Sequence, residues 1–320
     1  MMKKITTLFQ VLFLIGLSFS IGFTQDAQTY FKKGNALVSL KQYDKALDFY
    51  KQARELDPKN ELIPFAMGNV WVWQNDLLKA AGYYDIAIHL NPQFAEAYYM
   101  RGLAKHNLGE FADLITTYQK LVKKDPKRMK ESPYIQKMDI GDHKFAGAIL
   151  DFNKALELNP EDAKVYEARG DLNIDLKQFL AAKKDYDQAI KLNPKYAKNY
   201  VMRGIARGHL HDFVTSIKDF NQAIVLDPNY AKAYSRRGLA RLQLKQFNVA
   251  LIDLNKAIAL DPKDAYSYFY RGLAKGMLGT IKALAKDVEK ASDLAPKDME
   301  LQTMIIELKM KLGSRWPSKK

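Results

Sequence analysis

The spacing of the prolines constrains this 320-residue chain more than any other feature. Eight of the eleven prolines follow one another at intervals of 34 residues, most of them just after an ending such as Glu-Leu-Asp or Lys-Leu-Asn. They are Pro58, Pro92, Pro126, Pro160, Pro194, Pro228, Pro262 and Pro296. Proline lacks the backbone N–H and clashes with the preceding turn, so each of them marks the end of a helix. An unbroken period of this length predicts an array of equivalent helical units.

Each unit also carries a fixed pattern of small and bulky residues. When the units are numbered so that the proline is position 32, position 8 is glycine in seven of them, and positions 20 and 27 are mostly alanine with a bulky residue at position 24. In the first unit these are Gly34, Ala46, Ala53 and Tyr50. Glycine inside a helix costs about 0.5–1 kcal/mol relative to alanine, so its recurrence indicates a close approach by a second helix. The spacing of four and then three residues places positions 20, 24 and 27 on one face of that second helix. Each unit is therefore predicted to contain two helices, A and B, joined by a tight turn at positions 14 to 17.

This combination of period and residues resembles the tetratricopeptide repeat (TPR), over residues 27–298. The resemblance implies an all-α, right-handed superhelical solenoid of eight antiparallel helix pairs, whose A helices line a concave groove. The physical reading agrees, because one helix pair cannot bury its own apolar face and needs neighbours. The unbroken period predicts one array without an internal domain boundary. Residues 299–312 place Leu301, Met304 and Ile305 on one face and predict a capping helix, followed by a basic tail at 313–320.

The N-terminal residues 1–24 differ from the repeats. Two lysines, Lys3 and Lys4, precede an apolar stretch that reaches Phe23, which predicts a secretory signal peptide. An uncleaved anchor helix is the alternative, since the stretch approaches the length that spans a bilayer. Both readings place the array outside the cytoplasm, as a periplasmic, secreted or membrane-anchored protein. The chain has no cysteine, which excludes disulfides and thiolate chemistry, and its formal net charge of +14 favours acidic partners or anionic surfaces.

Arginine at position 7 recurs together with aspartate at position 23 of the same unit, and these residues are predicted to form ion pairs within each repeat. The pairs are Arg169 with Asp185, Arg203 with Asp219, Arg237 with Asp253, and Arg271 with Asp287. Arg101 is an exception, because position 23 of its unit is Thr117.

The fourth unit departs from the pattern, with Gln136 at position 8 and Pro133 at position 5. One interpretation is an A helix that starts late, with Ser132 as its N-cap. The other is that residues 123–133 form a flexible basic seam between repeats.

Motifs that carry catalysis are missing from the sequence. There is no phosphate-cradling glycine-rich loop, no Gly-x-Ser-x-Gly elbow and no His-Glu-x-x-His zinc helix. The five histidines are scattered, and the side chains of His209 and His211 diverge. We therefore predict no enzyme activity, no cofactor and no metal.

Binding remains, and the family's geometry places partner contacts at positions 2, 5, 6, 9, 12 and 13 of the A helices. Aromatic residues and arginine most often carry binding energy at interfaces. The predicted partner-binding residues are Phe31, Asn35, Phe65, Asn69, Trp73, Tyr99, Met100, Lys232, Arg236 and Tyr270. The alternative is that several of them pack against neighbouring A helices. One subclass of the family grips a chaperone's C-terminal carboxylate, but here Asn35, Lys232 and Arg236 fit that clamp while Phe31 and Met100 do not, so we do not predict it.

Two functional hypotheses follow. The first is an exported scaffold that holds an extended peptide or a partner protein in the groove. The second is a basic solenoid that binds an anionic envelope polymer or membrane surface through Lys164, Lys198, Lys232 and the cluster at 123–130, with binding that weakens steeply in salt. Nucleic acid is not expected as a partner, because export removes the protein from most of it.

Overall fold

The computed structural model of this protein describes residues 25–109 and 145–317. The predicted signal peptide at 1–24, Thr117, the basic segment 123–133 and residues 318–320 lie outside the described residues.

The regular structure of the described ranges is helical, and these ranges contain no β-strand. The A helices are α1 (Gln25–Ser39), α3 (Leu62–Trp73), α5 (Ala95–Gly109), α7 (Ala163–Asp175), α9 (Ala197–His209), α11 (Ala231–Gln243) and α13 (Ala265–Met277). The B helices are α2 (Tyr43–Leu56), α4 (Leu77–Leu90), α6 (Ala146–Leu158), α8 (Phe179–Leu192), α10 (Phe213–Leu226), α12 (Phe247–Leu260) and α14 (Ile281–Leu294). Helix α15 (Met299–Leu312) and a 3-10 turn (Gly313–Arg315) follow. The predicted all-α class of tandem helix pairs is confirmed.

The repeated prolines end the B helices as predicted. Each described B helix stops two residues before its proline, as α2 does at Leu56 before Pro58. The turns between A and B helices are also tight and share one backbone conformation. His211 in the turn between α9 and α10 has φ 61°, and the next residue, Asp212, donates its N–H to the carbonyl of Arg207 over 2.9 Å. This left-handed residue satisfies the last carbonyls of the A helix and turns the chain back.

The glycine at position 8 is where the two helices of a repeat meet. A Cβ atom added to Gly34 would lie 2.5 Å from Cε1 of Tyr50, and one added to Gly204 would lie 2.7 Å from Cε1 of Phe220. Real Cβ atoms do not approach that closely, so the aromatic ring at position 24 requires glycine opposite it. The predicted close approach of the helices is confirmed.

Helix α5 pairs with α6, which is the B helix of the next sequence unit. Gly102 faces Phe152, and Arg101 donates hydrogen bonds to Asp151 over 2.9 Å and 2.5 Å. Arg101 thus has no aspartate at position 23 of its own unit, and it pairs instead with Asp151, at position 23 of the next unit.

Positions 20 and 27 of the two competing B segments differ. They are Leu114 and Leu121 in the unit of Arg101, whereas α6 supplies Ala148 and Ala155. In α6 both alanines are 1% exposed beside α5, but leucine at position 20 does not by itself exclude a close pair, because Leu284 occupies that position in α14 and is buried against α13.

The contacts of the chain group into two compact units, one ending at Ala168 and one beginning at Arg169, within α7. The sequence predicts no such boundary. In a repeat array each repeat contacts only its neighbours, so residues in distant repeats make no contacts with one another. An array of this kind can therefore divide into separate groups of contacting residues.

Each unit has its own buried core. The core of the first unit includes Tyr50, Ile63 and Met67, and the core of the second includes Leu254 and Val288. Helix α15 spans the residues that the sequence predicts as a capping helix, 299–312. It buries Leu301 and Ile305 against the last helix pair, α13 and α14. None of the helices in the described ranges is long and apolar enough to cross a membrane.

Candidate partner-binding face

The A helices of the first unit present aromatic rings that rest on tyrosines of the B helices. The ring of Phe31 lies 5.5 Å from that of Tyr50, and the ring of Phe65 lies 5.6 Å from that of Tyr84. Phe65 also contacts Phe94, at 4.8 Å between ring centroids. Both phenylalanines are half-buried, so each ring is held on one side and partly open on the other.

Buried tyrosine hydroxyls fix two predicted asparagines. Tyr50 donates its O–H to Oδ1 of Asn35 over 2.6 Å, and Tyr84 donates to Oδ1 of Asn69 over 2.7 Å. Burial raises the pKa of both tyrosines well above the usual value, so they remain neutral donors. The asparagine carbonyls are thus used inside the repeat, where they accept the tyrosine hydroxyls.

Trp73 lies at the end of α3, where its ring stacks on Tyr43 of α2 at 5.9 Å with an angle of 20° between the planes. It is half-buried, like Phe31 and Phe65. The three rings lie on two adjacent A helices and form the aromatic face of the first unit.

Three other predicted residues belong to the core. The exposed fractions are 4% for Tyr99, 2% for Met100 and 7% for Tyr270. Tyr99 packs near Phe152, with 6.3 Å between ring centroids, and Tyr270 packs near Phe269, at 5.9 Å. Such side chains offer a partner very little surface, which favours the packing role that the sequence left open.

In the second unit, two predicted cations lie on the A helix α11. Lys232 is exposed and Arg236 is half-buried. Within the described part of the chain, Arg236 makes no hydrogen bond or ion pair. Burial raises the pKa of Tyr270 and lowers that of His209, and the charge of Arg236 acts on both groups. Arg236 therefore lies between α9 and α13, on the face that the A helices share.

The other lysines of the anionic-surface hypothesis lie near carboxylates. Lys198 Nζ is 2.6 Å from Oδ2 of Asp171, whose other oxygen accepts the hydroxyl of Tyr186 over 2.5 Å. Lys164 lies near Glu96, where burial raises the pKa of the carboxyl group and the lysine opposes that rise. The positive charge of both lysines is thus partly offset by carboxyl groups of the protein itself.

The four predicted ion pairs are confirmed. The distances are 2.6 Å for Arg169–Asp185, 2.6 Å for Arg203–Asp219, 2.6 Å for Arg237–Asp253 and 2.7 Å for Arg271–Asp287. Each aspartate also accepts a second side chain from position 11 of its A helix, as Asp253 does from Arg241 over 2.6 Å. These pairs lie at the contact between helices A and B, and Arg203, Arg237 and Arg271 also lie over tyrosine rings of their own A helices, at 5.2–5.5 Å.

Sequence reasoning missed that three of these arginines, together with Arg101, also reach the preceding repeat. Arg203 Nη1 lies 2.8 Å from Asp187, Arg237 Nη1 lies 2.6 Å from Asn221, Arg271 Nη1 lies 3.0 Å from Asn255, and Arg101 Nη1 lies 2.5 Å from Asp85. The signal was available, because the four acceptors all occupy position 25 of the repeat before the arginine. We call this series of contacts the arginine ladder.

The described residues contain no group of three or more histidine, cysteine, aspartate or glutamate side chains arranged to hold a metal ion. The A helices of the first unit thus carry half-buried aromatic rings and asparagine amides, and α11 of the second unit carries Lys232 and Arg236.

Comparisons with known proteins agree with this architecture. The chain is 25% identical over 116 residues to RNA polymerase II-associated protein 3 of Rattus norvegicus, a match that covers 36% of this chain and 18% of that protein. It is 29% identical over 93 residues to the heat shock protein sti1 homolog of Schizosaccharomyces pombe, covering 29% of this chain and 16% of that one. The chain thus spans less than a fifth of the length of these relatives.

Among solved structures, a tetratricopeptide repeat protein from Parabacteroides merdae ATCC 43184 has the same fold. It superposes with a TM-score of 0.60 at 20% identity over 90% of this chain and 100% of that one. Four sequence models of the tetratricopeptide repeat match residues 27–60, 65–128, 163–196 and 231–264, together just over half of the chain. With the helix pairs, the position-8 contacts and these matches, the chain belongs to the tetratricopeptide repeat family.

Proposed function

We propose that this protein is a non-catalytic scaffold that binds an extended peptide, or an extended segment of a partner protein, on the A-helix face of its first unit. Proteins of this family are generally protein-interaction scaffolds. The observation that carries the proposal is the aromatic face formed by Phe31, Phe65 and Trp73, each ring fixed against a tyrosine and partly open to solvent.

The chemistry of this face suits a peptide. Rings that are already held in place lose little conformational entropy when a ligand packs on them, which favours affinity. Aromatic anchors supply most of the energy at protein interfaces. Beside the rings, the NH2 groups of Asn35 and Asn69 are oriented by the tyrosine bonds and are suited to peptide carbonyl oxygens. The face therefore combines apolar pockets with donors for a backbone.

The test starts from peptides selected from a random 12-residue display library on the whole protein. Their dissociation constants are then measured by fluorescence anisotropy against a Phe65→Ala/Trp73→Ala variant. We expect the affinity to fall at least about tenfold, as for other aromatic anchors. Tyr99 is left intact, because replacing a buried ring would disturb the fold. The control is Leu150→Ala, which shortens an exposed apolar side chain on the B helix α6.

Thermal unfolding by circular dichroism is recorded for both variants, since Phe65 packs on Tyr84. A folded double variant that binds the selected peptides as tightly as the unchanged protein does would rule out the aromatic face as the binding site.

One observation favours the second candidate function, binding to an anionic surface. Lys282, Lys286 and Lys290 are exposed on α14 at a spacing of four residues, so they form a single row on one side of the helix. Binding through this row should weaken steeply between about 50 and 300 mM salt, because exposed charges are screened over a few ångströms at the higher value. Binding to anionic vesicles that survives Lys282→Glu/Lys286→Glu/Lys290→Glu, or that is insensitive to salt, would exclude it.

We also propose that residues 1–24 are a signal peptide that is cleaved on export. Two lysines followed by an apolar stretch support this proposal. Intact-mass measurement of the protein from the exported fraction should give a chain that lacks about the first two dozen residues. A full-length chain in the membrane fraction would instead identify an anchor.

A further inference from the structure

The outer face of the last helix, α15, is apolar. One side of α15 buries Leu301 and Ile305 against the final helix pair, as a cap should. The opposite side exposes Met299, Ile306 and Met310, at 77%, 56% and 70% of their surface. Terminal repeats and caps ordinarily have a polar outer face, because that face meets water. The exposed side chains of α15 therefore call for a different role.

These residues form one narrow seam. Met299, Thr303, Ile306 and Met310 are separated by four, three and four residues. This is the spacing of the d and a positions of a coiled-coil heptad, where two helices pack along a single stripe. A strict stripe of this width suits one partner helix better than a broad surface.

The position of α15 in the stack points the same way. When Met299 is counted as position 1, Ile306 occupies position 8. In the A helices that pack closely against a B helix, this position is glycine. At Gly34 and Gly204 an aromatic ring lies where a Cβ atom would be. The side chain of Ile306 prevents such an approach. A helix on this face has to meet it side chain against side chain, at an axis separation of about 8–10 Å.

Charges along one edge of the seam define the partner. Glu300 and Glu307 each follow a seam residue, are exposed, and make no ion pair within the described part of the chain. They form an acidic edge, followed one turn after Glu307 by the exposed Lys311, on a protein whose formal net charge is +14. The only lysine on the other edge of the seam, Lys309, lies over the ring of Trp316 at 5.2 Å. A helix with lysine or arginine along its flank would complement the acidic edge.

A second copy of α15 fits less well. In an antiparallel pair, the residues just after the d positions face one another, so Glu300 would lie against Glu307 of the other copy. In a parallel pair, Gln302 would face Glu307, with no gain in charge interaction. Like charges across an interface oppose pairing.

We propose that the seam of α15 is a docking surface for an amphipathic helix of a partner protein, one with an apolar stripe and a basic flank. The surface is separate from the aromatic face of the first unit, and binding there does not depend on the function proposed above.

The probes are two synthetic 28-residue helical peptides with the same leucine seam, one with lysine and the other with glutamate at the flanking positions. Binding to the full chain is measured by fluorescence anisotropy. The test variants are Ile306→Glu, Met310→Glu and the charge reversal Glu300→Lys/Glu307→Lys. The matched control is Val225→Glu, which introduces the same charge at another exposed apolar side chain, 72% exposed on α10. Circular dichroism establishes that each variant is folded.

The expected result is that the lysine peptide binds at least about tenfold more tightly than the glutamate peptide, since facing charges set partner choice. Ile306→Glu and Met310→Glu should each abolish that binding, Val225→Glu should leave it unchanged, and the charge reversal should invert the preference. Failure of both peptides to bind, equal binding of both, or full binding by the Ile306→Glu variant would overturn the proposal. Dimerisation in sedimentation velocity that is lost with Ile306→Glu would assign the seam to a second copy and overturn it as well.

Discussion

At the scale of single residues, two glycines one turn apart in α9 have opposite surroundings. A Cβ atom on Gly204 would lie 2.7 Å from the ring of Phe220, whereas one on Gly208 would meet nothing closer than Oγ of Ser216 at 3.8 Å. Gly204→Ala should therefore destabilise the protein by about 1–3 kcal/mol through overpacking. Gly208→Ala should stabilise it by up to about 1 kcal/mol, because alanine is the better helix former. Chemical denaturation of the two variants provides the comparison.

The pair serves as its own control, since both substitutions add one methyl group to the same helix. If Gly204→Ala were as stable as Gly208→Ala, the helices would not meet closely at position 8, and the physical reason for the repeated glycine would be lost.

The residues at positions 9 and 24 are matched between the two helices of a described pair. Where position 24 of the B helix is tyrosine, position 9 of the A helix packed on it is asparagine or aspartate, and where position 24 is phenylalanine or leucine, position 9 is leucine or isoleucine. The pairs are Tyr50 with Asn35, Tyr84 with Asn69, Tyr186 with Asp171, Phe152 with Leu103, Phe220 with Ile205 and Leu254 with Leu239. A buried hydroxyl needs an acceptor, and an apolar ring needs an apolar neighbour.

This matching predicts strong coupling between Tyr84 and Asn69. Asn69→Leu alone removes the acceptor of a buried hydroxyl and should cost about 1–3 kcal/mol. The double variant Tyr84→Phe/Asn69→Leu recreates the combination found in other repeats and should recover most of that loss. A double-mutant cycle from urea denaturation measures the coupling, and additive effects would show that the hydrogen bond contributes little.

These residues also show which side-chain roles can be predicted from the sequence. The four arginine–aspartate pairs were predictable, because both partners occupy fixed positions of one unit. The role of Asn35 and Asn69 is not predictable in the same way. The family's geometry places position 9 on the groove surface, and it does not show that a tyrosine hydroxyl at position 24 donates to this residue. The sequence predicts Tyr99 and Met100 at the same surface, but both are buried. Burial depends on how tightly neighbouring A helices pack, and the position of a residue within its repeat does not determine this packing.

At the scale of helices, the pairing of α5 with α6 makes one period of sequence removable. Joining Glu110 to Phe145 deletes residues 111–144, which is 34 residues, and restores Leu-Gly-Glu-Phe between an A and a B helix. Phe145 then occupies position 17, which is also phenylalanine in α8, α10 and α12. We expect the deletion variant to be folded, with a thermal midpoint within a few degrees of the full chain, because the contacts of Gly102 and Arg101 with α6 are kept.

Asp151→Asn in the full-length chain tests the pairing independently. Asp151 is almost fully buried and binds both Arg101 and Lys105, so its loss should destabilise the first unit by about 3–5 kcal/mol. Asp48→Asn, which breaks an exposed pair with Lys51, should cost less than about 1 kcal/mol. An Asp151→Asn variant as stable as the Asp48→Asn variant would indicate that α5 pairs within its own sequence unit, beside Thr117.

The choice of partner for α5 marks the limit of sequence reasoning about elements. The prolines predicted where the B helices end, and each described B helix stops two residues before its proline, because the cause is local. The period cannot distinguish one B segment from the next, because both are in register with α5. The residues at positions 20 and 27 differ between the two segments, but leucine at position 20 is also found in α14, as Leu284, so the sequence alone does not select the partner.

The ion pair between α13 and α14 gives the protein a defined acid sensitivity. Burial raises the pKa of Asp287, but hydrogen bonds from Arg271 and Lys275 outweigh burial, and the net pKa lies below its usual value. A carboxyl group with a lowered pKa stabilises the folded state above its unfolded-state pKa of about 3.9, and this stabilisation is lost as the pH falls through the folded-state pKa. Asp287→Asn should therefore reduce stability at pH 7, and the difference from the unchanged protein should shrink below about pH 4.

Thermal midpoints of both proteins between pH 7 and pH 3 measure this difference. The control is Asp293→Asn, an exposed position on the same helix, which should change stability by less than about 0.5 kcal/mol at any pH. An Asp287→Asn deficit that persisted unchanged to pH 3 would mean that packing, and not the charge, makes the contribution.

At the scale of the whole molecule, the stability of a repeat array is approximately the sum of the repeats and of the interfaces between neighbours. The arginine ladder adds hydrogen bonds to the interfaces before α9, α11 and α13. Position 7 is instead Lys33 in α1 and Met67 in α3, and neither makes such a bridge within the described residues. Helix α4 carries Asp85, which Arg101 reaches, so the comparison uses α1 to α3. We therefore expect backbone amides of α9 to α13 to exchange with solvent more slowly than those of α1 to α3.

Arg237→Met isolates the cause. It removes the bonds to Asp253 in the same repeat and to Asn221 in the preceding one, and it leaves Asp253 buried with Arg241 alone. Exchange should rise in α10 to α12 and stay unchanged in α1 to α4, because coupling in an array passes mainly between neighbours. The control is Lys33→Met, which also places methionine at position 7, in a repeat without the bridge. It should affect exchange only slightly, because the contacts it removes are limited to the rings of Tyr30 and Phe49, each 5.7 Å from Nζ. If both variants raised exchange equally and only near the substitution, the ladder would act within repeats alone and would not hold neighbouring repeats together.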